Sequence, residues 1–332
     1  MFKKILFILL LILSTVGGCY AGRVSSSLDL MNRSTDKSLS KVDLGNAKVT
    51  SDNEIVNILM VGSDSRDELG SEKYGRSDTM MIATLDNKHK CLKLTSMMRD
   101  MNVEIPGYGM HKFNASYSYG GVELLYKTIA TNFGVSLDGY VVVDFNAFVD
   151  IIDEIGGVDI KLTKEEAHYL NHTNYIKGKK NRHLRKGWNT MNGAQALGYC
   201  RVRKVANVNG TNNDQGRTER QRMVMNAILS KVKTMSMSKW MDILDAVLPN
   251  ISTDVSNSDI IRYATSVALM GTTEIKQCQI PIDGYYQNGT SATDGDVLEI
   301  DLDANRRLLQ EFLFEYDGKG KSEALAGSEG DE

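Results

Sequence analysis

Three short, nearly unbroken apolar runs, Ile55–Val61, Thr79–Leu85 and Cys91–Met97, constrain this chain more than any other feature. Runs of this length suit strands buried on both faces of a sheet. Asp86-Asn87 separates the second from the third and predicts a hairpin turn. The period then changes. Val122, Leu125, Ile129 and Phe133 recur at helical spacing and stop at Gly134, a residue suited to a helix C-terminus. Tyr140–Phe145 reads as a strand, and Phe148, Ile152 and Ile155 mark a helix closed by Gly156-Gly157. Arg217–Lys233 is predicted to be a long helix with Val224, Ile228 and Val232 on one stripe. Helices near residues 236–247, 259–270 and 304–314 and a strand near 275–280 complete the pattern. Such alternation predicts an α/β fold, a three-layer α-β-α domain around a central mixed sheet.

Of the 332 residues, 42% are hydrophobic and 24% charged, a balance expected of a folded protein. The three prolines mark no interdomain linker, so a single domain is expected over residues 53–317. Residues 318–332 form an acidic tail, and 23–52 read as a polar spacer. At the start, Lys3 and Lys4 precede the apolar run Ile5–Leu13, which reads as an export signal or membrane anchor within residues 1–22. Three fates fit it: removal by a signal peptidase, acylation at Cys19 after Val16-Gly17-Gly18, or retention as a short anchor. Each places the rest of the chain outside the cytoplasm. Cys91, Cys200 and Cys278 lie singly in apolar surroundings without metal-ligand spacing, and are expected to be buried thiols.

The net charge of −3 argues against a general nucleic-acid binder. Charge is unevenly spread, however. Between Lys177 and Arg222, twelve Lys and Arg face two acids, Asp214 and Glu219, a local excess of ten positive charges. An anionic partner is expected there.

Charged residues also crowd the ends of the expected strands, where α/β proteins build their sites. Asp64 and Arg66 follow the first strand, Arg76 and Asp78 precede the second, and Arg99-Asp100 follow the third. If the second and third strands form a hairpin, Asp78 and Arg99 share one end of the sheet. Guanidinium groups match phosphate oxygens in pairs, whereas carboxylates hold a hard divalent cation. Structural ion pairs are the competing reading of any single Arg–Asp pair. The segment Ala196–Arg203 reads as a strand carrying Arg201 and Arg203 on one face. Asp214 precedes Arg217, Arg220 and Gln221 in the first turns of the long helix, where cations oppose the helix dipole unless an anion is bound.

Gly62-Ser63-Asp64-Ser65-Arg66, Arg76-Ser77-Asp78-Thr79-Met80, Met98-Arg99-Asp100, Ile105-Pro106-Gly107-Tyr108-Gly109, Lys112-Phe113-Asn114-Ala115, Tyr119-Gly120-Gly121, Val143-Asp144-Phe145, Gly156-Gly157-Val158, Leu197 to Arg203 and Gly216-Arg217 to Gln221 stand in this order. The series resembles the LytR-CpsA-Psr family over roughly residues 54–315. The resemblance implies a phosphotransferase of the bacterial cell envelope. Such enzymes move a glycopolymer, of teichoic acid or capsular polysaccharide type, from polyprenyl pyrophosphate to peptidoglycan. It further implies that Asp64 and Asp78 hold Mg2+ (with Mn2+ as a substitute). Arg66, Arg76, Arg99, Arg201, Arg203, Arg217 and Gln221 would contact the pyrophosphate, and Asp214 would orient the arginines, with Arg220 in support. Arg99, Asp78 and Asp100 are the expected catalytic groups, and either carboxylate is a candidate base. The implied partners are the lipid-linked donor, the peptidoglycan acceptor and the cytoplasmic membrane, with no nucleic acid. Met97-Met98 and the long polar loop 205–213 depart from the family's pattern. A pyrophosphate hydrolase, a carrier-lipid binder and a transcriptional regulator are the rival readings.

Overall fold

The computed structural model describes residues 25–33, 38–63, 77–233, 248–270 and 275–317. The apolar runs become the middle of a seven-stranded mixed sheet. Its strands are β1 (Asn32–Arg33), β2 (Ile55–Ser63), β3 (Ser77–Asp86), β4 (Cys91–Met97), β7 (Gly139–Asp144), β10 (Ile251–Thr253) and β11 (Ile275–Ile280), in the order β1-β10-β7-β2-β3-β4-β11. β2 and β3 pair antiparallel, as do β3 and β4, so the predicted hairpin is present. β7 lies parallel to β2, and β11 parallel to β4. The carboxyl ends of β2, β4, β7 and β11 therefore meet at one edge of the sheet.

Alternation along the strands divides their side chains between two faces. Leu59 and Val61 of β2 and Met80 and Ile82 of β3 join a core with α1 (Ala115–Phe133), α7 (Leu302–Gln310) and the π-helical turn Glu311–Glu315. Met60 and Met81 point the other way, toward α2 (Phe145–Glu154), α4 (Gly193–Cys200) and α5 (Asn213–Lys233). A second core, centred on Ile152, Leu170, Tyr199 and Val224, joins these helices to α3 (Lys164–His172) and the hairpin β8 (Val158–Leu162)–β9 (Gly187–Met191). The ribbons β5 (Asn102–Ile105)–β6 (Gly109–Lys112) and β12 (Tyr286–Ser291)–β13 (Gly295–Ile300) stand outside the main sheet. A further helix, α6 (Asn257–Met270), follows β10.

Two expectations need correction. Ala196–Arg203 is not a strand: its apolar residues form α4, opened by a capping box in which Asn192 and Gln195 bond each other's backbone N–H groups. A short apolar run does not by itself distinguish a buried helix from a strand, and the capping residues lie just before the run. The segment 23–52 is also more than a spacer. Asn32–Arg33 pairs with β10, Leu28, Met31 and Leu39 are buried, and Thr50 N–H donates to the Gly134 carbonyl at 2.8 Å. Scattered apolar residues in a polar stretch are enough to cover a sheet edge. The expected helix at 236–247, the N-terminal apolar run and the acidic tail lie outside the described residues. Among the described residues no helix is long and apolar enough to cross a membrane. Cys91, Cys200 and Cys278 are buried thiols outside any disulfide, and burial pushes Cys200 and Cys278 up to about 12.

Candidate functional site

Asp214 organises the charged residues at the carboxyl edge of the sheet. It lies in the first turn of α5, where a carboxylate complements the helix dipole. Arg217 Nη2, one turn along, sits 2.8 Å from Asp214 Oδ1 and 2.9 Å from Oδ2. Arg203 Nε approaches Oδ1 at 3.5 Å, and Arg99 Nε at 4.0 Å. Three cations, one of them more than a hundred residues before the other two, thus converge on one carboxylate. The helix begins at Asn213, earlier than expected, so Arg217 lies in its second turn and Arg220 and Gln221 in the third. Cations there do not oppose the dipole as supposed. Asp214 and the cavity account for Arg217 instead, and Glu166 for Arg220.

Each arginine is presented by a definite piece of backbone. Arg201 caps the C-terminus of α4, and Arg203 lies two residues beyond it. The loop 205–213 closes on itself through Asn207 N–H to Thr211 O (2.8 Å), and Asn213 N–H returns to Arg203 O (2.7 Å). Gly216 is needed beneath that loop, because a Cβ there would stand 2.7 Å from the Thr211 carbonyl oxygen. Arg99 follows β4, and its carbonyl accepts from Asn114 N–H at 3.1 Å. Arg99 Nε also reaches Asp100 Oδ2 at 3.3 Å, while Asp100 Oδ1 meets Lys112 Nζ at 3.4 Å. Arg220 takes a different part. Fully buried, it binds Glu166 Oε1 at 2.9 Å and the carbonyls of Val202 (3.2 Å) and Val205 (2.7 Å). It holds the strip of chain that carries Arg201 and Arg203.

Beneath these groups lies a cavity of about 620 Å³ between the sheet and helices α2, α4 and α5. Arg201, Arg203, Lys204, Arg217 and Gln221 line one part of it. Met60, Met81, Phe148, Ile151, Met225 and Ile228 line the rest. A cationic mouth above an apolar slot suits an amphiphile with an anionic head and a hydrocarbon tail.

Of the expected site residues, Arg99, Asp100, Arg201, Arg203, Asp214, Arg217 and Gln221 gather here. Asp64, Arg66 and Arg76 lie outside the described residues. Asp78 is placed by its backbone in β3: Ser77 before it pairs with Ser63, and Thr79 after it with Gly62. Asp78 thus stands where the last residues of β2 pair with the first of β3. Among the described residues, no three His, Cys, Asp or Glu side chains gather to hold a metal ion. Two participants were not anticipated in these roles. Lys204 adds a cation to the mouth, and only its place beside Arg203 hinted at it. Lys112 pairs with Asp100, and its signal was its place in the Lys112-Phe113-Asn114-Ala115 motif.

The LytR_cpsA_psr family model matches residues 23–306. The regulatory protein MsrR of Staphylococcus aureus (strain COL) is 32% identical over 278 residues, covering 83% of this chain and 79% of that protein. The polyisoprenyl-teichoic acid–peptidoglycan teichoic acid transferase TagU of Bacillus mycoides (strain KBAB4) is 34% identical over 294 residues, covering 85% and 89%. Among solved structures, TagV of B. subtilis superposes with a TM-score of 0.61 at 28% identity, covering 79% of this chain and 98% of that one.

Proposed function

The chain belongs to the LytR_cpsA_psr family, and we propose that it is a phosphotransferase moving a glycopolymer from a polyprenyl pyrophosphate carrier to peptidoglycan. The observation that carries this is the apolar cavity whose mouth holds Arg201, Arg203 and Arg217, with Arg99 tied to them through Asp214. The relative TagU is named for a reaction of this kind, whereas MsrR is named a regulator. The site's chemistry favours the transferase. A lipid-diphosphate site has no evident use in reading nucleic acid, and the net charge of −3 disfavours it further.

The polyprenyl tail lies in the slot lined by Met60, Met81 and Ile228, and the pyrophosphate lies against the arginines. The attacking sugar hydroxyl of peptidoglycan forms a new P–O bond at the glycan-side phosphorus. The bond from that phosphorus to the bridging oxygen breaks, and polyprenyl phosphate leaves with the electron pair. The hydroxyl proton passes to a carboxylate, Asp78 or Asp100. Asp100 sits between Arg99 and Lys112, in contact with both. Its stronger role is to orient Arg99. Phosphoryl transfer asks mainly for positioning and neutralisation of charge, and the arginines supply both. Mg2+, held by Asp64 and Asp78 together with diphosphate oxygens, would add a Lewis acid and a template for the phosphates. The capsular polysaccharide type of polymer is a second candidate cargo. The N-terminal apolar run would tether the domain at the outer face of the cytoplasmic membrane.

The test uses a lipid-pyrophosphate-linked glycan with and without peptidoglycan. The wild type should form a glycan–peptidoglycan phosphodiester, and Arg99→Ala should slow this by about 10²-fold or more. Release of free glycan phosphate at the same rate without acceptor would make the protein a hydrolase. Tight donor binding with neither product would make it a carrier-lipid binder. In a separate measurement, chelation with EDTA should abolish transfer, and Mg2+ should restore it. Full activity after chelation would remove the metal from the reaction.

A further inference from the structure

Two motifs, Ile105–Gly109 and Tyr119–Gly121, have no task in this scheme, and Lys112–Ala115 lies between them in the chain. They come together at the surface. Tyr108, in the β5–β6 turn, and Tyr119, in the first turns of α1, stack with ring centroids 4.7 Å apart and planes inclined by 25°. Both rings are open to solvent, at 52% and 41% exposure. His111 meets the edge of Tyr119 at 5.6 Å and is held by Asp294 through Nδ1 at 2.8 Å. Immediately beyond Tyr119 the helix breaks. Gly121 has φ 61° and ψ −152°, a conformation open only to glycine, and Gly120 is also non-helical. The break ends the turn that displays Tyr119.

We propose that this tyrosine platform is the subsite for the acceptor, binding pyranose rings of the peptidoglycan glycan strand. The inference rests on the phosphotransferase reading above. A solvent-exposed stacked aromatic pair offers an apolar π-surface to the C–H face of a sugar, with phenol hydroxyls at its rim for the sugar's own hydroxyls. Its place fits the reaction. Lys112, at the end of the strand carrying Met110 and His111, pairs with Asp100, and Asn114 N–H bonds the Arg99 carbonyl. Tyr119 lies five residues from Asn114 along the helix, about 7.5 Å. The neighbouring Phe113 and Tyr117 pack into the core on one face of the sheet, whereas the lipid cavity opens on the other. An in-line displacement needs its nucleophile opposite the leaving group. A strand laid on the tyrosines approaches from the side away from the departing polyprenyl phosphate.

The test compares full-length wild type with Tyr108→Ala, Tyr119→Ala and the corresponding phenylalanine variants. Binding of soluble, short peptidoglycan glycan strands is measured directly, without donor, and then the KM values for strands and for donor. The alanine variants should weaken strand binding and raise the strand KM by about tenfold each, equivalent to ~1.4 kcal/mol. The phenylalanine variants should retain most of the affinity, and the donor KM should not change. A rise in the donor KM alone would assign the platform to the donor's glycan and overturn the proposal, as would unaltered strand binding. Tyrosine-dependent strand binding by a wild type that transfers nothing would sustain the subsite while defeating the transferase reading.

Discussion

Replacing Arg217 with alanine is expected to lower transfer by about 10²–10³-fold, the cost of removing one preorganised group that neutralises charge in the transition state. Arg217 is only 3% exposed, yet it lines the cavity mouth, and its Nη2 rests on both oxygens of Asp214. Its position is therefore set before any substrate arrives. Preorganisation is what makes such a group effective, since no solvent need be rearranged as charge develops. Arg217→Lys should recover only part of the loss, because an ammonium is a point charge and does not reproduce the planar fork. Asp214→Asn should also impair transfer although Asp214 need touch no substrate. It would leave Arg99, Arg203 and Arg217 repelling one another across a shortened list of partners. Initial rates at saturating donor and acceptor measure all three variants. An Arg217→Ala enzyme within about threefold of wild type would take this arginine out of the reaction.

The site was legible in the sequence because its chemistry is carried by residue types whose burial together needs a reason. Arg99, Arg203 and Arg217 have no neighbours in common along the chain, yet each is adjacent to the end of an element. Elements of an α/β fold end where its ligands bind. What the sequence hid was the backbone that presents them. Arg201 and Arg203 were expected to project from one face of a strand, and they instead follow a buried helix. A buried helix and a buried strand present the same unbroken apolar run, so periodicity did not separate them. The capping pair Asn192 and Gln195 was the available signal.

The central strands were legible for a simpler reason: β2, β3 and β4 lie between two packed layers and must be apolar nearly throughout. The two-residue strand β1 and the outlying ribbons carry no such mark. β5–β6 mixes Asn, Glu, Gly and Lys with its few apolar residues, and its pairing depends on turn geometry and on α1 beside it. The same ribbon holds Tyr108 and Lys112, so the part of the fold least visible in the sequence is also the part nearest the proposed acceptor.

Arg220→Ala is expected to destabilise the domain by about 3–5 kcal/mol, because removing one member of a buried ion pair strands the other. Both side chains of the Arg220–Glu166 pair are fully buried. Glu166 would keep the bond from Thr163 N–H at 2.9 Å, but its other oxygen would face a cavity where a guanidinium had been. At roughly 2–4 °C per kcal/mol for a domain of about this size, the melting temperature should fall by the order of 10 °C. Replacing both partners with apolar residues of similar volume should cost less than the sum of the single changes, since no charge is then left buried alone. Thermal unfolding of the two single variants and the double variant measures this, and additive losses would mean that the pair is not coupled. Arg220 also holds the carbonyls of Val202 and Val205, which flank Arg203. The apolar double variant should therefore regain stability without regaining transfer: the fold tolerates loss of this ion pair, whereas the cavity mouth depends on the chain that Arg220 holds.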